Sequence, residues 1–340
     1  MRLLKDDDVR VAMDSVNIID ELERMLARPL EGGLELPPRI TIEDRNSGGF
    51  LRLMPCIAYD TGFAGFKAMN MHPEQGVRYM ISLISLADGE LVAMLDADWI
   101  TAYRTAATAA IAVRHLAPPV ASTLAVIGSG TQARALLEAT LQTLTPERVL
   151  VHSPTAENRE RFAAEVGQRL AVPIAPVAEG AEALGAADVV LSAYRAGPNP
   201  VIRAGQTRPG SLVCGISSVR PEHREVDVDL WRTSRVVVDD LEHVRTSGDG
   251  RAATAAGLTA NGDVPELWQL LQDPRVGRRS DEERVLFKSV GTAEQDIALA
   301  ALVMQRAEAL GIGETIDGFP ALRPIQSGSP VSADGHGVLR

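Results

Sequence analysis

The pattern of hydrophobic and polar positions predicts two different kinds of structure along this chain. Residues 1–30 carry apolar side chains mostly at helical spacing. Strands are predicted at 79–86 and 90–96, joined by a hairpin turn at Asp88-Gly89. An Ala-rich segment at 100–116 then predicts a long helix. This first part therefore predicts an α+β unit with antiparallel strands.

The pattern changes after Pro118-Pro119, which ends the Ala-rich helix. Short β-branched runs then alternate with helical segments, for example at 132–144 and 156–170. The predicted strands are 124–127, 149–152, 189–192, 212–216 and 236–239. Such alternation is typical of a parallel sheet with helices on both faces, so we predict an α/β protein with a doubly wound, Rossmann-type sheet. A last long helix at 293–310 leads the chain back to the first part.

Composition and charge exclude some classes of function. The net charge is −11 and no basic run is present, which argues against a nucleic-acid partner. No apolar run is long enough to span a membrane, and the acidic N-terminus lacks the apolar segment of a signal peptide. Cys56 and Cys214 lie in apolar segments without metal-ligand spacing. We therefore predict reduced thiols, no metal site and a cytoplasmic protein.

The most specific motif is a glycine-rich loop between a predicted strand and a predicted helix. It reads Gly128-Ser129-Gly130-Thr131-Gln132-Ala133. Gly128 permits a tight turn, Gly130 lets a pyrophosphate approach the backbone, and Ala133 lets the helix pack closely on the sheet. The N–H groups at the start of that helix attract phosphate. These six residues predict a nicotinamide dinucleotide site, with a turn that binds no ligand as the alternative.

The end of the next predicted strand bears on the choice of cofactor. NAD-binding proteins usually have Asp or Glu there to bind the ribose 2′-hydroxyl, and this chain has neither. Ser153 and Thr155 can instead donate hydrogen bonds to a 2′-phosphate, and Arg159 is close enough in sequence to reach it. These residues favour NADP over NAD. In the alternative interpretation, Ser153 and Thr155 only cap the following helix.

Charged residues outside this loop are candidates for the reaction site. Arg104 shares a polar helix face with three threonines, and a buried arginine needs an anionic partner such as a substrate carboxylate or a cofactor phosphate. Arg39 and Lys67 are further candidate anion ligands, with solvated surface cations as the alternative. Asp239 ends a strand at the sheet edge where ligands bind, and His223 follows another strand there. Their alternatives are a helix cap and a surface histidine.

Several segments together resemble the ornithine cyclodeaminase/mu-crystallin family, over about residues 34–300. The resemblance rests on Pro38-Arg39, Met54-Pro55, Gly65-Phe66-Lys67, 100–107, 128–133, 224–227, 238–240 and 289–296. The 100–107 segment, which reads Ile-Thr-x-x-Arg-Thr-Ala-Ala, is the most specific of them.

This resemblance implies a homodimer and assigns roles to many residues. It implies a Rossmann domain over 119–299 and an α+β substrate-binding and dimerisation domain formed by 1–118 and 300–340. Arg39, Lys67 and Arg104 are expected to bind the α-carboxylate of an amino or imino acid. The candidate catalytic residues are Lys67, Arg104, Asp239 and His223, and Met54 is a further substrate contact. The expected cofactor contacts are Thr105, the six residues of the glycine-rich loop, Ser153, Thr155, Arg159, Ser192, Ser289 and Gly291.

Two departures from the family pattern bear on the reaction. Cyclodeaminases are expected to carry an acid two positions before the proline that matches Pro221, where this chain has Val219, and a lysine where it has His223. Pro154 replaces an arginine expected to bind the 2′-phosphate in mu-crystallin-like members, which weakens the NADP prediction. The segment 238–243 is similar to a branch that forms diaminopropionate by oxidative cleavage of an amino-acid adduct.

Together these residues favour one reaction over two alternatives. The favoured one is hydride transfer by an NAD(P)-dependent amino-acid dehydrogenase or imine reductase. A cyclodeaminase-type lyase that recycles its NAD and a non-catalytic, crystallin-like NADP-binding protein are the alternatives.

Overall fold

The framework of the protein is two β-sheets and the helices that connect them. A computed structural model describes residues 1–27, 33–194, 196–217, 219–260, 262 and 264–323. Its helices are α1 (Asp6–Ala12), α2 (Ile18–Leu26), α3 (Asp98–Leu116), α4 (Thr131–Thr140), α5 (Ala156–Leu170), α6 (Gly180–Ala186), α7 (Val228–Arg232), α8 (Leu241–Thr246), α9 (Gly248–Ala255), α10 (Leu267–Gln272) and α11 (Ala293–Leu310).

The first sheet is mainly antiparallel and comes from the N-terminal part of the chain. Its strands include β1 (Arg2–Leu4), β2 (Leu34–Glu35), β3 (Ile40–Glu43), β4 (Phe50–Ala58), β5 (Phe63–His72), β6 (Gly76–Ser85) and β7 (Leu91–Asp96). They lie in the order β1-β7-β6-β5-β4-β2, and β3 also pairs with β4. Met54 lies opposite Lys67 in the β4–β5 register, and Arg52 is two residues away along β4. Because side chains alternate between faces, all three lie on the same buried face of the sheet.

The second sheet is parallel throughout its described strands. These are β8 (Thr123–Ile127), β9 (Arg148–His152), β10 (Ile174–Val177), β11 (Val189–Ser192), β12 (Leu212–Gly215), β13 (Arg235–Val238) and β14 (Val285–Lys288). Their order is β10-β9-β8-β11-β12-β14-β13. The strands before β11 are added towards one edge of the sheet and the later ones towards the other edge, so the strand order reverses between β8 and β11. Ligands of doubly wound sheets bind at such a switch point. The predicted Rossmann-type sheet is confirmed.

Two long helices connect the sheets. The start of α3 packs beneath the first sheet through Trp99 and Ile100, whereas its Ala-rich remainder packs in the core of the second sheet. The helix α11 returns the chain to the first sheet and packs against β4, β5 and β6. A last strand, β15 (Glu314–Thr315), then pairs with β1. No helix in the described ranges has the length and apolar character needed to span a membrane.

Several short elements differ from their prediction. The segment 1–30, whose spacing is mostly helical, also contains a strand. A strand and two helices occupy its described part, because a turn at Ser15 (φ 60°) interrupts the pattern and Asn17 caps α2. The strands β1, β5, β10, β14 and β15 were not predicted; β10 and β14 are only four residues long and contain or adjoin proline or charged side chains. The proposed domain boundaries stay predictions, and residues 28–32 and 324–340 lie outside the described residues.

Candidate active site

A cavity of about 430 Å³ lies between the two sheets, at the carboxyl edge of the parallel one. It is lined by β4, β5, β6, α3 and the loops that follow β8, β11, β12 and β14. The predicted site residues that line it are Arg39, Met54, Lys67, Arg104, Thr105, Gly130, Thr131, Gln132, Ser289 and Gly291. Those that do not are Gly128, Ser129, Ala133, Ser153, Thr155, Arg159, Ser192, His223 and Asp239. The structure thus brings the predicted substrate ligands together with part of the glycine-rich loop.

Lys67 and Arg104 share one buried acid, Asp296. Nζ of Lys67 lies 2.6 Å from Oδ2 of Asp296, and Nε of Arg104 donates to Oδ1 at 2.9 Å. The side chains of the two cations are 3% and 7% exposed, and that of the aspartate is fully buried. The anionic partner that a buried Arg104 requires is therefore supplied by the protein itself. The sequence interpretation, which gave that role to a ligand, missed Asp296, although the residue lies in the 289–296 segment.

The environment of Lys67 suits proton transfer. Burial lowers the pKa of its ammonium to about 7, and the Arg104 charge acts in the same direction, while Asp296 opposes both. An ordinary lysine has a pKa near 10.4, so it stays protonated at neutral pH. A group that titrates near neutral pH inside a cavity is well matched to general acid–base catalysis.

The loop 289–291 forms one wall of the cavity and is held from two sides. Asp239 accepts hydrogen bonds from the loop's serine hydroxyl at 2.7 Å and from the next two backbone N–H groups at 2.9 and 2.6 Å. Arg39 donates to the carbonyl oxygen of Gly291 at 3.0 Å. Gly291 has φ +73°, and a Cβ there would overlap the Arg104 guanidinium. Asp239 therefore positions this wall, and its own carboxylate does not line the cavity.

The glycine-rich loop has room for a phosphate group. Gly128 has φ +120°, and a Cβ there would lie 2.6 Å from the carbonyl oxygen of Ala193. Gly130 immediately precedes α4, and a Cβ there would meet no atom within 4 Å. The space in front of the first N–H groups of α4 is therefore open to the cavity, while Ala133 is buried against the sheet. This arrangement fits a dinucleotide pyrophosphate.

We expect Gly130→Val to weaken NAD(P)H binding at least tenfold, or by about 1.4 kcal/mol, without unfolding the protein. The valine side chain has room in the free protein and collides only with a bound pyrophosphate. Gly205→Val is the matched control, because a Cβ at this exposed glycine also meets nothing within 4 Å. Fluorescence titration with NAD(P)H measures both variants. Wild-type affinity in Gly130→Val would place the pyrophosphate elsewhere.

The interpretation that Ser153 and Thr155 only cap the helix after β9 does not fit the hydrogen bonds at this strand end. Thr155 precedes α5, but its side chain makes no capping hydrogen bond. Arg159 donates from Nη1 to the carbonyl oxygen of Ser153 at 3.2 Å, so its guanidinium lies beside the strand end. The Thr155 hydroxyl and the Arg159 guanidinium are thus available to a ligand at this position, whereas Ser153 is buried at 3% exposure.

Two further predicted residues are engaged outside the cavity. The hydroxyl of Ser192 donates to the buried carboxylate of Glu225 at 2.6 Å. The ring of His223 lies 3.9 Å from the carboxylate of Glu222. Val219, in contrast, lines the cavity, and its apolar side chain cannot transfer a proton.

The cavity-wall residues that sequence reasoning missed include Arg52 and Tyr79. A signal for Arg52 was present, because it precedes Met54 by two positions in a strand and therefore shares its face.

Three comparisons relate the chain to known proteins. The sequence profile of the ornithine cyclodeaminase/mu-crystallin family matches residues 1–311. The chain is 30% identical over 317 residues to the alanine dehydrogenase of Archaeoglobus fulgidus, covering 91% of this chain and 95% of that protein.

Two solved structures superpose over nearly the whole chain. One is the Δ(1)-pyrroline-2-carboxylate reductase of Thermococcus litoralis in complex with NADH and L-proline, with a TM-score of 0.87, 29% identity, and coverage of 93% of this chain and 100% of that one. The other is an archaeal alanine dehydrogenase dimer with bound NAD, with a TM-score of 0.86, 27% identity, and coverage of 94% and 99%.

Proposed function

Since this chain belongs to the ornithine cyclodeaminase/mu-crystallin family, we propose that it is an NAD(P)-dependent oxidoreductase that transfers a hydride at the α-carbon of an amino or imino acid. The observation that carries this proposal is the cavity in which Lys67 and Arg104 face the glycine-rich loop. The names of the relatives support it, since alanine dehydrogenase and Δ(1)-pyrroline-2-carboxylate reductase both denote redox chemistry on such acids.

In this mechanism the protein binds, orients and moves a proton. A nicotinamide dinucleotide, when bound, would supply the hydride donor or acceptor, and the N–H groups at the start of α4 would hold its phosphates. Arg39 and Arg104 bind the substrate α-carboxylate, because one internal acid does not neutralise the cations around it. In reduction, the Lys67 ammonium donates a proton to the imine nitrogen, which makes the attached carbon a better hydride acceptor. In oxidation, the neutral Lys67 amine accepts that proton back.

A substrate screen tests the proposal. Amino acids are offered with NAD(P)⁺, and 2-oxo acids plus amines with NAD(P)H, while cofactor absorbance and free ammonia are followed together. A net absorbance change supports the oxidoreductase. Ammonia released without an absorbance change indicates the lyase, which Val219 disfavours because it offers no acid–base group. Cofactor binding without either signal indicates a non-catalytic protein.

The pH dependence should report the protonation of Lys67. We expect kcat/KM for imine reduction to be constant below about pH 7 and to fall about tenfold per pH unit above it, because the lowered pKa removes the ammonium. For amino-acid oxidation we expect the opposite profile, which rises towards pH 7 and then levels off. In Lys67→Arg the guanidinium keeps its proton, so the break near pH 7 should disappear. Stopped-flow or steady-state rates from pH 6 to 9 measure this; a wild-type profile with no break argues against Lys67.

We further propose that NADP is preferred over NAD. No acid ends β9, and Arg159 lies beside the strand end. Arg159→Ala is expected to weaken NADPH binding about tenfold, or 1.4 kcal/mol, and to leave NADH affinity nearly unchanged. Arg161→Ala is the control, because Arg161 lies on the same helix and donates to Asn158. If the wild-type protein binds NADH tenfold more tightly than NADPH, the proposed preference is wrong.

A homodimer in the cytoplasm completes the proposal. The outer face of β3 and β4 exposes three apolar side chains, Ile40, Ile42 and Leu51. An apolar patch of this kind favours contact with a second copy, and the archaeal alanine dehydrogenase is described as a dimer. Light scattering that gives the monomer mass would contradict this. The two cysteines are buried free thiols and form no disulfide with each other, which fits a reducing compartment. Cell fractionation tests the location.

A further inference from the structure

Arg52 is a cavity cation that the proposed reaction does not use. Its side chain is buried at 5% exposure and lines the cavity with Arg39, Lys67 and Arg104. Its Nε donates to the Thr41 hydroxyl at 3.0 Å, and its guanidinium lies over a phenylalanine ring. Within the described ranges, its two terminal nitrogens make no hydrogen bond, and no acid lies within ion-pair distance of it.

The charge balance of the cavity leaves Arg52 without an anion. Asp296 already faces Lys67 and Arg104, while Arg39 donates to two backbone carbonyl oxygens and is near the Asp239 and Asp240 charges. These acids and a single substrate α-carboxylate serve the other three cations, so Arg52 is the cavity cation that a second anionic group would pair with. Burial, with the Arg39 and Arg220 charges acting in the same direction, lowers the pKa of Arg52 to about 10; Tyr79 and Glu222 oppose this from beyond ion-pair distance. Because Arg52 lines the cavity and no acid of the described residues lies within ion-pair distance, an anionic ligand there would complete its charge pairing.

Arg52 is placed where it can contact the side chain of a bound amino acid. Arg52 lies two residues along β4 from Met54, which pairs with Lys67. Two strand residues span about 7 Å, and the side chains of Arg52 and Lys67 are long and lie on the same face of the sheet, so both can contact one small amino diacid in the cavity. Arg52 also borders a second cavity of about 320 Å³, which gives the substrate side chain room to extend.

We propose that Arg52 binds a second anionic group on the side chain of the substrate, so that the enzyme acts on amino or imino acids with an acidic side chain. This proposal rests on the proposed function, since it names the substrate class of the same site. A carboxylate and a phosphate share the required chemistry, because a guanidinium binds either in a bidentate manner.

Amino-acid oxidation tests the preference. The substrates are L-aspartate, L-glutamate and O-phospho-L-serine against L-alanine and L-norvaline, each with NADP⁺. We expect the wild-type enzyme to favour at least one acidic substrate by tenfold or more in kcat/KM, and the pattern distinguishes carboxylate from phosphate. Arg52→Gln should reduce this acidic-to-neutral ratio at least tenfold, without changing NADPH affinity.

Arg78→Gln is the control, because this arginine lies on β6 of the same sheet, is exposed, and lines neither the main nor the second cavity. It should keep the wild-type ratio. A wild-type preference for neutral amino acids, or an equal loss with all five substrates in Arg52→Gln, would overturn the proposal. A loss of NADPH affinity in Arg52→Gln would also overturn it, since Arg52 would then serve the cofactor.

Calorimetry separates failure of this proposal from failure of the proposed function. Succinate and butyrate have similar length and differ by one carboxylate, and they are titrated into the NADP⁺ complex of each variant. We expect succinate to bind at least tenfold more tightly, and Arg52→Gln to remove the difference. If no amino acid is oxidised but this difference is found, the redox function is wrong and the anion site stands. Equal affinities in the wild-type protein contradict the anion site whatever the turnover.

Discussion

Lys67→Ala and Arg104→Ala are expected to reduce kcat/KM for the substrate by roughly thirtyfold to several thousand-fold. Loss of one charged contact to a desolvated carboxylate costs on the order of 2–5 kcal/mol, and each 1.4 kcal/mol is about tenfold. Each variant also leaves Asp296 with one cation instead of two, so less positive charge remains to attract the substrate. Steady-state kinetics on the substrate found in the screen measures the loss.

The affinity for NAD(P)H distinguishes a substrate role from a cofactor role. Both side chains come from the first sheet and α3, outside the parallel sheet, so cofactor affinity should change little. Arg114→Ala is the control, because this arginine of the same helix forms only partly exposed ion pairs, with Asp20 and Glu23. If Arg104→Ala weakens NAD(P)H binding as much as turnover, Arg104 belongs to the cofactor site. If neither variant affects turnover, the reaction site lies elsewhere.

Lys288→Met is expected to destabilise the protein by about 3–5 kcal/mol, the cost of breaking a buried ion pair. Nζ of Lys288 lies 2.8 Å from a carboxylate oxygen of Glu225 and 3.3 Å from one of Asp249, and all three side chains are fully buried. Burial lowers the pKa of this lysine, but the two carboxylates outweigh that effect and raise it above its usual value. Without the ammonium, the two buried carboxylates lose the cation that they share and repel each other. Equilibrium urea unfolding measures the change in the free energy of unfolding.

The control for this variant is Lys5→Met, which removes an exposed ion pair with Glu314. Such pairs contribute about 0–1 kcal/mol. Adding Glu225→Gln to Lys288→Met should recover part of the lost stability, because it removes one of the two mutually repelling charges. A Lys288→Met protein as stable as the Lys5→Met protein would contradict the buried ion pairs of Lys288 with Glu225 and Asp249.

The parallel sheet and the glycine-rich loop were predictable because their signals are local. Short β-branched runs separated by helices require a parallel sheet, and Gly128 and Gly130 follow the first of these runs directly. In contrast, β14 has only a brief apolar run before Lys288, and nothing local shows that it inserts between β12 and β13. Its position comes from tertiary pairing, which a single sequence does not display.

The cations of the site could be predicted from the sequence, but the acids that pair with them could not. Arg104 was recognised as buried because its helix is otherwise apolar, yet its partner Asp296 lies 192 residues away in sequence. No spacing rule connects two residues that meet only when α11 returns to the first sheet. Asp239 was expected to act on the substrate, because residues at this end of a strand often bind ligands. Its carboxylate instead accepts hydrogen bonds from the 289–291 loop, which its place in the sequence does not show.

The most direct test of the central claim is the fate of the hydrogen at C4 of the nicotinamide. NADPH carrying deuterium at both C4 positions is incubated with the enzyme, ammonia and the 2-oxo acid identified in the screen. The product amino acid is then analysed by mass spectrometry and NMR. Direct hydride transfer predicts one deuterium at the α-carbon of every product molecule. A product with only solvent hydrogen at the α-carbon, formed while NADPH is oxidised, would contradict this account.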